Sequence, residues 1–222
     1  RNNSASKTAT GEPMDNSLCR MFGIDVPMFA FSHCRDVVVE VSKAGGMGVL
    51  GLARMHPDRV EEDLRWIDAH IGGRPYGVDV LMPTTFDAAA EGEAKHHAEQ
   101  LFPPEHLAFV REMLDRAGVP PLPADEAARI ERELVSSFNF TRAESAAMID
   151  KAFEHPIRLI VNALGSPPPE LVQRAHARGI KVAALAGSPR HALRHRDAGC
   201  DFVIAVGTEA GGHTGQTTSL VL

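Results

Sequence analysis

Cysteine, aromatic residues and long apolar runs are all scarce in this sequence of 222 residues. It holds three cysteines, one tryptophan and one tyrosine, and aromatic residues make up 5% of it. Cys19, Cys34 and Cys200 are odd in number and include no Cys-x-x-Cys pair, which favours reduced thiols in a cytoplasmic protein over a disulfide framework. We expect Cys34 to be a small buried residue, with a reactive thiol as the alternative.

An excess of positive charge is also missing. The formal net charge is −6, so no basic stripe is available to neutralise phosphates and we expect no nucleic-acid partner. No apolar run approaches the roughly 18 residues that a membrane helix needs, so we expect no membrane partner either. The polar residues 1–20, which lack a hydrophobic signal region, are interpreted as a flexible N-terminal leader.

Short apolar runs alternate with amphipathic stretches in most of the remaining chain. Strands are predicted at 26–31, 47–50, 76–81, 157–162, 180–185 and 201–206. Helices are predicted between them at 36–44, 57–70, 168–178 and 188–198. This alternation predicts a parallel sheet with right-handed crossovers.

The stretch 83–156 interrupts this pattern. It has no strong strand, and helical pieces are predicted at 87–100, 104–117, 125–135 and 142–153. We therefore interpret 83–156 as a helical insertion that separates the first part of the fold, 21–82, from its continuation, 157–222. The insertion is expected to be a packing or homodimer element, with a lid over the site as the alternative.

A glycine-rich segment, 45–48, superficially resembles a dinucleotide-binding fingerprint. It follows a helix and precedes a strand, whereas the fingerprint needs a strand, then glycines, then a helix, so we reject it. Polar residues instead follow the predicted strands: Ser32, His33, Asp79, Asn162, Ser188 and His213. Chemistry at strand ends is typical of barrels, so the predicted fold is α/β, a TIM-type (β/α)8 barrel with about six strands present.

The last predicted strand leads into a loop with a single histidine, His213, among four glycines: Gly207, Gly211, Gly212 and Gly215. The glycines permit close approach of the backbone to a flat or anionic ligand. An imidazole at the carboxyl end of a buried strand lies where an α/β barrel keeps its chemistry. A surface turn with an incidental histidine is the other interpretation.

Two histidine pairs look like metal ligands but predict no metal site. His96 and His97 are adjacent, and adjacent helical residues point apart. His191 and His195 are one helical turn apart, but no third ligand is near in sequence. We interpret both pairs as solvated helix faces.

Together these motifs resemble the nitronate monooxygenase family, whose members are FMN-dependent barrel enzymes. The matching segments are 27–33, 43–51, 77–79, 179–188 and 201–215. The resemblance implies that alkyl nitronates or nitroalkanes are oxidised with molecular oxygen, with FMN as cofactor and His213 as the proton-abstracting base. A histidine suits this role because its pKa lies near neutral pH. Glu209 is the alternative base, although a loop carboxylate more often caps backbone amides. It assigns FMN contacts to Ala30, Phe31, Ser32, His33, Asp79, Val206, Gly211 and Gly212.

Three residues depart from the family pattern. Asp79 replaces an asparagine, and an ionised carboxylate accepts hydrogen bonds but cannot donate them. Val206 replaces a glutamine, and His33 replaces a methionine. The family barrel has eight strands and six are predicted here, so we expect the chain to lack the C-terminal part, where relatives hold the FMN phosphate.

Two other functions stay open. One is an FMN-dependent enoyl-thioester reductase of the same superfamily, which shares a Gly-Gly-His loop and would oxidise a reduced nicotinamide. The other is a non-catalytic flavin-binding remnant, in which Asp79 and Val206 mark decay of the site.

Overall fold

The structure is a computed structural model that describes residues 16–53, 55–82, 103–136, 142–212 and 214–221. Its strands are β1 (Phe29–Ser32), β2 (Met47–Gly51), β3 (Tyr76–Val80), β4 (Leu159–Asn162), β5 (Lys181–Ala186) and β6 (Phe202–Ala205). All six predicted strands are present, and no end differs from its predicted position by more than three residues.

Eight helices occur in the described part of the chain. They are α1 (Ser17–Phe22), α2 (Arg35–Lys43), α3 (Pro57–His70), α4 (Pro104–Arg116), α5 (Ala124–Ser136), α6 (Arg142–Ala152), α7 (Pro169–His176) and α8 (Pro189–Asp197). Proline at the first position of α3, α7 and α8 starts each helix without the loss of a hydrogen bond. The predicted helix 87–100 lies outside the described residues. Within those residues, no helix has both the length and the apolar character needed to cross a membrane.

The six strands form one parallel sheet in the order β1-β2-β3-β4-β5-β6. The sheet curls, because the rings of Phe29 on β1 and Phe202 on β6 lie 6.0 Å apart between centroids. Phe22 of α1 makes edge contacts with both rings, at 5.5 and 5.9 Å. The predicted barrel-type fold is therefore confirmed as a curled arc of six strands.

Side chains on alternate strand positions enter two separate cores, as the twofold period of a strand requires. The inner core lies inside the curl and includes Met47, Val49, Leu159, Val161 and Ala183. The outer core packs the other strand face against the helices, as Val78 and Ile160 do with Leu64 and Ile67. On β3 this alternation puts Tyr76, Val78 and Val80 in the outer core. Gly77 and Asp79 therefore face the interior of the curl.

Two of the predicted segments contribute a helix to the cores. Helix α6, at the end of the predicted insertion 83–156, buries Met148, Ile149 and Ala152 in the outer core, so it acts as the crossover helix before β4. Helix α1 includes the last residues of the predicted leader 1–20, and its Cys19 is buried in the inner core.

Cys34, which the sequence analysis expected to be buried, is exposed. Strand β1 ends at Ser32, and the chain turns outward there, so Cys34 becomes the N-cap residue of α2. Its Sγ donates to Asp36 Oδ2 at 3.6 Å.

The only tryptophan, Trp66, links the two helices α2 and α3. Its ring stacks on the His70 ring, with centroids 4.0 Å apart and planes 15° from parallel. The guanidinium of Arg35 lies 4.8 Å from the Trp66 ring centroid and also pairs with Asp63 at 2.8 Å. Trp66 is therefore part of the outer helical layer.

Gly48 on β2 allows α2 to pack directly on the sheet. An added Cβ would lie 2.6 Å from the Cα of Val38 and would also overlap its carbonyl oxygen. Because both atoms are backbone, the helix itself would have to move. We expect Gly48→Ala to lower the free energy of unfolding by about 2 kcal/mol in urea titrations of the full-length protein. Gly187→Ala is the matched control, since its Cβ would come no closer than 3.6 Å to its neighbours. Equal losses for the two variants would contradict this account.

Candidate active site

Four residues meet where β1, β2 and β3 end: Phe31, His33, Gly51 and Asp79. We call them the mouth cluster. Gly51 pairs with Asp79 in the parallel register, and His33 Nδ1 donates to the Gly51 carbonyl oxygen at 3.0 Å. The Phe31 and His33 rings meet edge to face, with centroids 5.1 Å apart. A Cβ on Gly51 would lie 2.7 Å from atoms of both rings, so only glycine lets them pack against β2.

Phe31 gives the mouth cluster an apolar surface. Its side chain is 58% exposed although it sits at the end of a strand in a barrel-type fold. A large apolar ring left open to solvent beside polar groups is typical of a ligand site. The mouth cluster can therefore support one face of a flat ligand.

Asp79 gives the same cluster a buried acid. Its side chain is 8% exposed and lies between Gly51 and Val161 in the register of the sheet. In the part of the chain that the structure describes, no hydrogen bond or ion pair reaches its carboxyl group. Burial raises the pKa of Asp79 to about 7, because water is not available to solvate the charged form. The cluster thus holds an acid that titrates near neutral pH.

Ala30 and Ser32 are on the opposite side of β1 from Phe31. Ala30 pairs with Gly48, whose missing side chain would point at α2, and the Ser32 hydroxyl accepts from the backbone N–H of Cys34 at 3.0 Å. Only backbone atoms of these two residues are therefore available to a ligand inside the curl. Their part in binding a cofactor stays a prediction.

The loop after β6 forms the second part of the candidate site. Val206 continues the sheet, with its N–H donating to the Ala186 carbonyl at 3.0 Å, and Gly215 N–H donates back to the Gly207 carbonyl at 3.1 Å. Gly211 and Gly212 are exposed, and a Cβ on either would meet nothing within 4 Å. His213, the predicted base, lies outside the described residues. Its role also stays a prediction.

Glu209 holds this loop closed. Its carboxylate accepts from the backbone N–H of Ser219 at 3.0 Å and from the Ser219 hydroxyl. These hydrogen bonds lower the pKa of Glu209 below its ordinary value, and the bond from the Ser219 hydroxyl contributes most. An acid with a low pKa is a weak base, so the contacts favour the capping role over the alternative of Glu209 as catalytic base.

His195 was interpreted as part of a solvated helix face, and this is wrong. The imidazole is buried, with Nε2 donating to the Leu185 carbonyl and Nδ1 accepting from the Ser166 hydroxyl, both at 2.9 Å. Its position three residues after Ala192, on the inward face of α8, was the available signal. His195 fastens α8 to β5.

Asn162, a predicted strand-end polar residue, is also fully engaged in holding the scaffold. Its side chain accepts from the Met82 N–H at 2.8 Å and donates to the carbonyls of Met82 and Gly165 at 3.0 and 3.1 Å. The carboxyl ends of β3 and β4 are therefore joined by side-chain hydrogen bonds. These hydrogen bonds provide a rigid support beside the mouth cluster.

A cleft of about 830 Å³ lies at the other end of the curl, beside the residues that precede β3, β4 and β5. Two pairs of charged groups in or beside it are already engaged, since His155 bonds Asp68 at 2.6 Å and Arg74 pairs with Asp25 at 3.1 Å. None of the strand-end residues lines it. The candidate site is therefore the carboxyl end of the sheet.

Comparison with known proteins identifies a family and several relatives for this chain. The family model for nitronate monooxygenase matches residues 16–221. A Mycobacterium tuberculosis protein, Rv1533, whose name calls it a monooxygenase, is 46% identical over 94% of this chain and 55% of its own length. A Staphylococcus saprophyticus protein, named as a probable nitronate monooxygenase, is 27% identical over 84% of this chain and 46% of its own. The chain thus spans about half the length of the curated relatives it matches.

Solved structures support the fold. FabK from Thermotoga maritima, as an M276A mutant, aligns with a TM-score of 0.60 at 20% identity, covering 92% of this chain and 50% of its own. Nitroalkane oxidase from Streptomyces ansochromogenes aligns with a TM-score of 0.56 at 24% identity, covering 90% of this chain and 51% of its own.

Proposed function

The chain belongs to the nitronate monooxygenase family, a family of oxidoreductases, and on that premise we propose that its protein uses FMN and molecular oxygen to oxidise alkyl nitronates and nitroalkanes. The observation that carries the proposal is the mouth cluster. It combines an exposed aromatic ring with a buried carboxyl group that has no partner among the described residues, at the end of the sheet where barrel enzymes keep their chemistry.

The residues present suit a flavin. Its ring has apolar faces and a polar edge, and it needs apolar contact, backbone without side chains and a few hydrogen-bonding groups. Phe31 supplies the apolar contact, Gly211 and Gly212 supply bare backbone, and Asp79 supplies a polar group. Bound flavin would take electrons from the substrate and pass them to oxygen.

His213 is the proposed general base. A neutral imidazole takes the proton from the carbon next to the nitro group, and the carbanion that remains is the nitronate. The hydrogen bonds of Glu209 to Ser219 hold the loop that carries this histidine.

The proposal is tested on the full-length protein by adding FMN, desalting, and recording the visible absorption spectrum before oxygen uptake is measured. We expect retained flavin absorbance and oxygen uptake with an alkyl nitronate. A colourless protein without oxygen uptake would contradict the proposal. Oxidation of a reduced nicotinamide on addition of an enoyl thioester would instead identify the reductase, and bound flavin without turnover would identify a non-catalytic flavin protein.

A further inference from the structure

The position of Asp79 makes its carboxyl group available to a ligand while shielding it from bulk water. It is the last inward-facing residue of β3, next to Gly51 on β2 and Val161 on β4. The Phe31 and His33 rings pack over Gly51, on the neighbouring strand. Asp79 as a whole is thus only 8% exposed at the open end of the curl.

Among the described residues that flank Asp79 in the sheet, none would balance a negative charge. Strands β2 and β4, on either side of Asp79, contain no titratable residue. A buried carboxylate without a partner is strongly unfavourable, so the protonated form is stabilised instead. This is the cause of the raised pKa of Asp79, for which burial is the one cause resolved.

Charged groups on the other elements are engaged or distant. At the amino end of β5, Lys181 pairs with Asp201 at 2.7 Å, and in the loop after β6, Glu209 is bound to Ser219. At the end of β1, His33 donates from Nδ1 to Gly51, so a protonated His33 is the nearest described charge that could favour an ionised Asp79. The remaining candidates, Arg54 and His213, lie outside the described residues.

A protonated carboxyl group can do what an amide does. It carries one O–H donor and one carbonyl acceptor, whereas the ionised form only accepts. Asp79 can therefore act as a donor, but only while it keeps its proton.

We propose that Asp79 keeps its carboxyl proton in the folded protein and donates this O–H to the hydrogen-bond-accepting edge of the flavin ring, so that flavin affinity falls as the pH rises. The inference rests on the proposed function in one respect, that the ligand is a flavin. It adds a regulation of the site that asparagine at position 79 would not provide.

The expected change in flavin affinity follows from the fraction of protein in which Asp79 is protonated. If only the protonated form binds, the apparent Kd equals the intrinsic Kd divided by that fraction. With a pKa of about 7, the fraction is near one at pH 5.5 and falls by about thirtyfold at pH 8.5. The apparent Kd should rise by the same factor.

The probe is riboflavin, because FMN carries a phosphate that itself titrates near pH 6 and would add its own pH dependence. Its binding to the full-length apoprotein is followed by quenching of flavin fluorescence from pH 5.5 to 8.5. We expect the wild type to lose about thirtyfold in affinity over this range. Asp79→Asn should bind as tightly as the wild type at pH 5.5 and keep that affinity at pH 8.5. His33→Gln, which removes the neighbouring titratable group, should keep the wild-type slope.

A second readout does not depend on flavin. Carbon NMR of protein labelled at aspartate carboxyl groups should show one signal titrating near neutral pH, absent from Asp79→Asn. Three results would each overturn the inference while leaving a flavin protein. The riboflavin affinity of the wild type could be independent of pH, its pH dependence could survive in Asp79→Asn, or its pH dependence could be lost in His33→Gln. Absence of riboflavin and FMN binding at every pH would overturn the proposed function together with it.

Discussion

His213→Ala will lower the rate of nitroalkane oxidation about a hundredfold or more while FMN stays bound, because general base catalysis contributes roughly 10²–10⁴-fold. A nitroalkane must lose a proton before it can be oxidised, whereas a preformed nitronate has already lost it. The loss should therefore be larger for the nitroalkane than for its nitronate. Steady-state oxygen uptake with both substrates, at matched flavin content, measures this difference.

The matched control for this substitution is His106→Ala, at an exposed histidine on α4, away from the strand ends. It should leave both rates unchanged. Equal rates for His213→Ala and the wild type would remove His213 from the mechanism. Glu209→Gln would then be the next variant, and a large loss there would assign the proton transfer to that carboxylate instead.

Asp79→Asn will stabilise the folded protein above neutral pH and will have little effect at pH 4. In the folded state the pKa is raised from 3.8 to about 7, so the folded protein holds this proton more tightly than the unfolded chain. The carboxyl group therefore costs stability as the pH rises above about 4, and the cost is complete above pH 7. The difference corresponds to at most about 4 kcal/mol, which a neutral amide of the same shape removes.

Urea unfolding of the apoprotein at pH 4, 6 and 8 measures this gain. Asp197→Asn, at an exposed acid at the end of α8, should give a difference that does not change with pH. If Asp79→Asn lowers stability equally at all three pH values, the carboxylate has a partner in the full-length protein, and the buried-acid account is wrong.

The course of the backbone could be predicted because its signals are local. The alternation of apolar runs with amphipathic stretches identifies all six strands of the part of the chain that the structure describes, and prolines such as Pro57 and Pro189 mark where helices begin. The inward face of each strand could not be predicted in the same way. Strands β2 to β4 are buried on both faces, so most of their side chains are apolar and no alternation of polar and apolar residues marks the inside.

The same limit explains the outcomes at the candidate site. From the sequence, Phe31 and Ala30 are equally plausible as cofactor contacts. Only the pairing of Ala30 with Gly48 shows that Ala30 faces α2. The position of Asp79 at a strand end was visible in the sequence, but its lack of a partner among the described residues depends on strands distant in the chain. The burial of His195 could not be predicted, because its helix is rich in arginine and therefore looks exposed in the sequence. The imidazole is buried because it bonds the Ser166 hydroxyl and the Leu185 carbonyl, which are distant in the chain.

The stacking of Trp66 on His70 gives this protein a localised optical reporter. As the single indole, Trp66 makes intrinsic fluorescence sensitive to the docking of α2 on α3, and not directly to the mouth cluster. Flavin emission would report the opposite side of the sheet. Tryptophan and flavin emission recorded in one denaturation experiment would therefore follow the outer and inner cores separately. Coincident unfolding curves would show that both cores unfold as one cooperative unit.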